Sequence, residues 1–229
     1  MKPAASAPRA PFSNDGRLFV WNWLPARYVC EQQWQQSLGP VPRPAPDSRE
    51  ELALSAWLLR RHDLQARPLR EPPPLRWLWC TPDFLQAKAF VVGLASHAQA
   101  LSRLMSRADL LAVREALGPL DLEQAVRLAR RHPHAAALNA QWRGRLDTPS
   151  LCRTGASLML SLLGEADETD DGLRRRFVLR MPADLVAPMA GPPLADEVRA
   201  DLCALLDADA DRHVDPCFDW ALPTARERH

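Results

Sequence analysis

Residues 79–101, WCTPDFLQAKAFVVGLASHAQAL, constrain the fold more than any other stretch of the chain. Thr81 has a capping side chain, Pro82 suits a first helical turn whose amides lack partners anyway, and Asp83 complements the positive end of a helix. The residues that follow are apolar on several faces rather than along one stripe, which predicts a central helix enclosed by others. Gly93 in the middle costs about 1 kcal/mol relative to alanine in a continuous helix, so either a break or the close approach of a neighbour must account for it. Close packing is the expectation. Lys88 and His97 interrupt the run, and no uninterrupted apolar stretch is long enough to span a membrane; membrane association is expected only indirectly.

Punctuation elsewhere divides the chain into further helices. Pro25 opens one expected to run to Leu38, and Ser48 with Glu51 has capping-box spacing before LALSAWLLRRH. Ser106 and Gly118 bracket a short helix, Asp121 begins another that stops near Pro133, and HPHAAALNAQW can add a turn. Pro149 leads into LCRTGASLMLSLLG, and a last helix spans about Pro193 to Leu206 with Leu194, Val198, Leu202 and Leu205 at repeating apolar positions. No βαβ rhythm and no repeat is present. The fold class is therefore mainly α: a compact irregular helical domain over residues 18–222, with a flexible Pro/Ala-rich leader at 1–17 and a flexible tail at 223–229.

One segment resists this reading. GLRRRFVLRMP, residues 172–182, sets Arg174, Arg175, Arg176 and Arg180 around a short apolar run and follows the acid-rich GEADETDD. Phe177, Val178, Leu179 and Met181 predict an extended or irregular strap tied to the core before the last helix. Arg174, Arg175 and Arg176 are expected to meet solvent, the preceding acids or a protein partner, and with Arg180 they are the candidate interface residues.

Chemistry finds little foothold. No GxxxxGK[ST], no GxGxxG after a strand and no GxSxG turn occurs, and the cysteines never approach CxxC spacing. His132 and His134 are two apart and point in different directions on a helix. DADADRHVD resembles the start of a calcium loop, but Arg212 and Phe218 stand where glycine and a bidentate acid are needed. No catalytic, cofactor or metal residue is expected. Five widely spread cysteines without a secretory signal suggest a reducing compartment. A net charge of only +1 argues against a uniformly cationic nucleic-acid binder, and none is expected as a partner. Charge is nonetheless uneven: residues 60–153 hold 15 basic and 8 acidic side chains, residues 194–219 hold 2 and 8. Such asymmetry orients a molecule against partners of different charge.

The order of features carries a resemblance. The WLP segment, the Pro-rich connection, LWCTPDFLQAKAFVVGLASHAQAL, LGPLD, TGASLMLSLL, RRFVLRMP and the last amphipathic helix together resemble the SctK family of type III secretion sorting-platform proteins, over most of residues 18–220. The resemblance implies a non-enzymatic cytosolic adaptor beneath the inner-membrane ring, linking the cytosolic domain of SctD to the SctQ pod protein. It also implies that Leu78, Cys80, Phe84, Leu94, Phe177, Leu179 and Pro182 serve the scaffold. A generic helical chaperone or interaction module is the alternative reading, with a nucleic-acid binder or an enzyme less favoured.

Overall fold

The computed structural model describes residues 14–65, 68, 75–104, 106–142, 146–163, 171–186 and 193–218. Regular structure among them is helical: α1 (Asn14–Trp23), α2 (Pro25–Tyr28), α3 (Glu31–Leu38), α4 (Arg49–Arg61), α5 (Pro82–Ser102), α6 (Arg107–Leu117), α7 (Pro119–Arg131), α8 (Pro133–Ala137), α9 (Thr148–Leu162), α10 (Asp171–Arg180) and α11 (Asp196–Asp207). Short 3-10 turns occupy Arg76–Trp79, Ala210–Arg212 and Pro216–Phe218. The mainly α expectation holds. Its extended strap does not, because RRFVLR is the body of α10.

α5 is the axis of the molecule, and α7, α8, α9 and α11 all pack on it. Thr81 caps it by accepting from the Phe84 amide at 3.3 Å, and the helix runs unbroken through Gly93. That glycine is there for contact. A Cβ at Gly93 would lie 2.0 Å from the Leu151 carbonyl oxygen, and one at Gly155 of α9 would lie 1.7 Å from that of Ala89. The two glycines thus let the α5 and α9 backbones touch, and both helices gain dispersion contacts that longer side chains would prevent.

Local signals set most other boundaries. Ser48 accepts from the Glu51 amide at 3.1 Å, Ser106 from Asp109 at 3.0 Å and Asp147 from Ser150 at 2.7 Å, each pairing an otherwise orphaned donor. Gly118, at φ 87°, ends α6 and immediately precedes α7, making a tight hairpin whose left-handed hinge suits only glycine. α7 therefore starts at Pro119, two residues before the expected Asp121. α8 is capped from a distance: Asp201 of α11 accepts from the amides of His134 (2.8 Å) and Ala135 (3.1 Å).

Three further boundaries are corrected. The helix expected from Pro25 to Leu38 breaks at Val29 and Cys30, where the Cys30 amide donates to the Leu179 carbonyl and so ties the break to α10. α1 begins at Asn14, inside the expected leader, and α11 begins at Asp196 rather than Pro193. Residues 1–13, the acid-rich stretch 164–170 and the tail from 219, with Trp220 and Leu222, lie outside the described residues.

The main core runs from Val20 to Phe218 and joins α1, α2 and α5 to α11 with the Arg76–Trp79 and Pro216–Phe218 turns. A smaller cluster of Ala26, Val29, Trp34, Leu58, Leu59, Leu64 and Leu179 lies under α2 to α4. α10 contributes to both.

Candidate functional site

α10 explains why its sequence misleads. Leu173, Arg176, Phe177 and Arg180 recur at helical spacing and all face inward, so two arginines stand on a stripe where an amphipathic helix carries apolar residues. Phe177 is fully buried, edge-on to Trp77 at 5.5 Å. The expectation of solvent contact is corrected for Arg176, and the candidate interface role for Arg180, since both side chains are 0% exposed. Arg174 and Arg175 are half-buried at the rim, where Arg175 donates to the His62 carbonyl at 3.3 Å.

The two buried arginines hold chain segments together by donating to backbone carbonyl groups. Arg176 donates to the carbonyls of Trp21 (3.1 Å), Gly172 (2.9 Å) and Leu64 (3.2 Å), while the Tyr28 hydroxyl donates to that same Trp21 carbonyl at 2.8 Å. Burial pulls the Arg176 pKa below its ordinary value and pushes that of Tyr28 up. Arg180 donates to the carbonyls of Leu78 and Cys80 and to the Asp215 carboxylate. Its guanidinium lies 5.6 Å from the Trp21 ring centroid and 5.0 Å from that of Phe218, within cation-π range. Around it, the 213–215 segment pairs with residues 79–81 through Thr81 to His213 (3.0 Å) and Asp215 to Trp79 (2.8 Å). Arg180 thus clasps three parts of the chain, the Trp77–Cys80 turn, the C-terminal segment and α10 itself, and its ring contacts add α1.

The other singled-out residues line the interior. Leu78, Cys80, Leu94 and Leu179 are buried, Phe84 is nearly so and stacks on His213 at 4.7 Å, and Pro182 is half-buried just past the end of α10. Trp21, Trp77 and Trp79 are core, whereas Trp23 is 43% exposed.

Burial raises the Cys80 thiol to about 11 and pushes Cys30, Cys152, Cys203 and Cys217 upward as well, which keeps them protonated and poor nucleophiles. Among the described residues no group of three or more histidine, cysteine or acidic side chains could hold a metal, and no helix is long and apolar enough to cross a membrane. His97 is buried, with Nδ1 2.9 Å from the Gly93 carbonyl and its ring edge-on to Trp142 at 5.5 Å. It is a packed core histidine. An open groove of about 790 Å³ lies beside it, between the end of α5, α6 and the turn after α8, lined by Leu104, Val113, Trp142 and Leu146 with Arg103 and Asp109.

The described residues form a body of closely packed helices, pinned by buried arginines and carrying an open groove. A family model described as YOP proteins translocation protein K (YscK) matches residues 18–220, and the chain belongs to that family, the SctK proteins. Its members are non-catalytic adaptors, and membership gives the chain a role in the type III secretion sorting platform. Neither a search of curated proteins nor one of solved structures found a match.

Proposed function

We propose that this protein is the cytosolic link between the inner-membrane ring and the sorting-platform pods of a type III secretion apparatus, binding the cytosolic domain of SctD on one side and SctQ on the other. The observation that carries this reading is the family match over nearly the whole chain, residues 18–220. A linker must also transmit position, and the backbone contact of α5 with α9 and the Arg180 clasp support a single rigid domain suited to that task. Arg174 and Arg175 stay candidate contact residues on the rim of α10. Arg176 and Arg180 belong to the core and leave the candidate set.

Co-purification with SctQ and with the cytosolic part of SctD, followed by size-exclusion chromatography with light scattering, tests the proposal. A complex containing all three proteins is the expected result. Failure to associate with either protein at several salt concentrations would overturn it.

A further inference from the structure

Several arginines among the described residues are engaged. Arg27 is bound by Glu51 and Asp47, Arg43 by Glu31 and two carbonyls, Arg76 by Asp211, and the two core arginines as described. The α6–α7 hairpin differs. Arg107 and Arg114 on α6, and Arg127, Arg130 and Arg131 on α7, are exposed, and among the described residues none makes a hydrogen bond or an ion pair.

Their placement is regular. α7 buries Ala125 and Leu128 against the core, and Arg127, Arg130 and Arg131 recur three and four apart on the opposite side; Arg107 and Arg114 share the outer side of α6 with Leu111, which is 55% exposed. Asp109, Glu115 and Glu123 lie exposed on the same two helices but form no ion pair with these arginines, and Asp201 of α11 accepts from the α8 amides and lies 4.0 Å from His132. The hairpin therefore presents five guanidinium forks with no protein acceptor among the described residues, as Arg49, Arg60, Arg103 and Arg174 also do singly elsewhere.

We propose that the outer face of the α6–α7 hairpin is a docking surface for an acidic segment of a partner protein. This rests on the adaptor reading and assigns one of the adaptor's contacts to a place. The planar guanidinium binds a carboxylate through two parallel hydrogen bonds, so arginine gains more than lysine from such a partner. A lipid surface fits less well, because Leu111 is the lone large apolar side chain among the described residues of these stripes and interfacial helices insert a broad apolar face. Single-stranded nucleic acid fits less well too, since no aromatic ring interleaves the arginines to stack a base.

The test uses the full chain with Arg127→Glu, Arg130→Glu and Arg131→Glu combined, and separately Arg107→Glu with Arg114→Glu. Circular dichroism and melting should match the parent, because all five side chains are exposed. Binding to either SctD or SctQ should weaken about tenfold or more while binding to the other persists, and parent binding should fall as salt rises. A poly-glutamate peptide read by fluorescence anisotropy should bind the parent and not the charge-reversed chains. Unchanged binding of both partners and of the peptide by both variants would overturn the inference. So would loss confined to phosphatidylglycerol vesicles or duplex DNA. If the parent binds neither SctD nor SctQ, the adaptor reading falls, and the peptide measurement still decides the surface.

Discussion

Arg180 and Asp215 meet at 2.8 Å in the core, thirty-five positions apart in the chain, with the arginine side chain entirely out of water. A buried charge left alone is costly, so removing one partner is worse than the pair's net worth. Asp215→Ala should destabilise the protein by about 3 to 5 kcal/mol, measured by urea denaturation. Asp215→Asn, which keeps an acceptor beside Arg180 but removes the charge, should cost less than Asp215→Ala. Equal losses in the two variants would refute the account in which an acceptor for Arg180 is what Asp215 supplies.

Gly93 and Gly155 each sit where a methyl group would strike backbone rather than a movable side chain. Alanine at either position should separate α5 from α9 and cost about 3 kcal/mol or more, at or above the upper end of overpacking effects. Thermal melting reads this directly, and an unchanged melting temperature would show that the crossing is looser than described.

Phe177 is fully enclosed, and Phe177→Ala should cost about 3 to 5 kcal/mol. By contrast, Arg174→Glu with Arg175→Glu should leave melting within about 1 kcal/mol of the parent, since the Arg175 to Asp63 contact of 3.7 Å is half-exposed and weak. Loss of SctD or SctQ binding in that double variant would make the rim of α10 a second contact surface.

Burial lowers the pKa of His97 below its ordinary value of 6.5, and burial together with Arg61 and Arg175 lowers that of His62. The unfolded chain therefore takes up protons at these sites before the folded one does. Stability should be level above about pH 7 and should decline as pH falls below 6.5 toward the folded pKa values. Denaturation at a series of pH values, with a His97→Gln variant that flattens part of the slope, checks the sign. Greater stability at pH 5.5 than at 7.5 would contradict it.

Helix ends were readable because their causes are local. Thr81, Ser48 and Ser106 act on amides three residues away, and Gly118 needs only its own backbone freedom. Gly93 was readable as a contact, though not its partner, since Gly155 lies on another helix. α10 was not. Arg176 and Arg180 occupy its inward stripe because carbonyl groups of residues 21, 64, 78 and 80 converge there, and that convergence exists only after folding. The break at Cys30 has the same origin in the Leu179 carbonyl. The exposed arginines of α7 were legible as charge and illegible as a face, because their lack of ion-pair partners depends on where every acid finally lies.

Phe218 completes the aromatic group of Trp21, Tyr28 and Trp79, the first of which belongs to the opening helix. During synthesis these rings have no lid until residue 218 has left the ribosome, and Arg180 has no counter-ion until residue 215 has. Truncation ahead of residue 215 would therefore leave Arg180 without its counter-ion and Trp21 and Trp79 without the ring of Phe218, so the core closes only once the last described turn has been made.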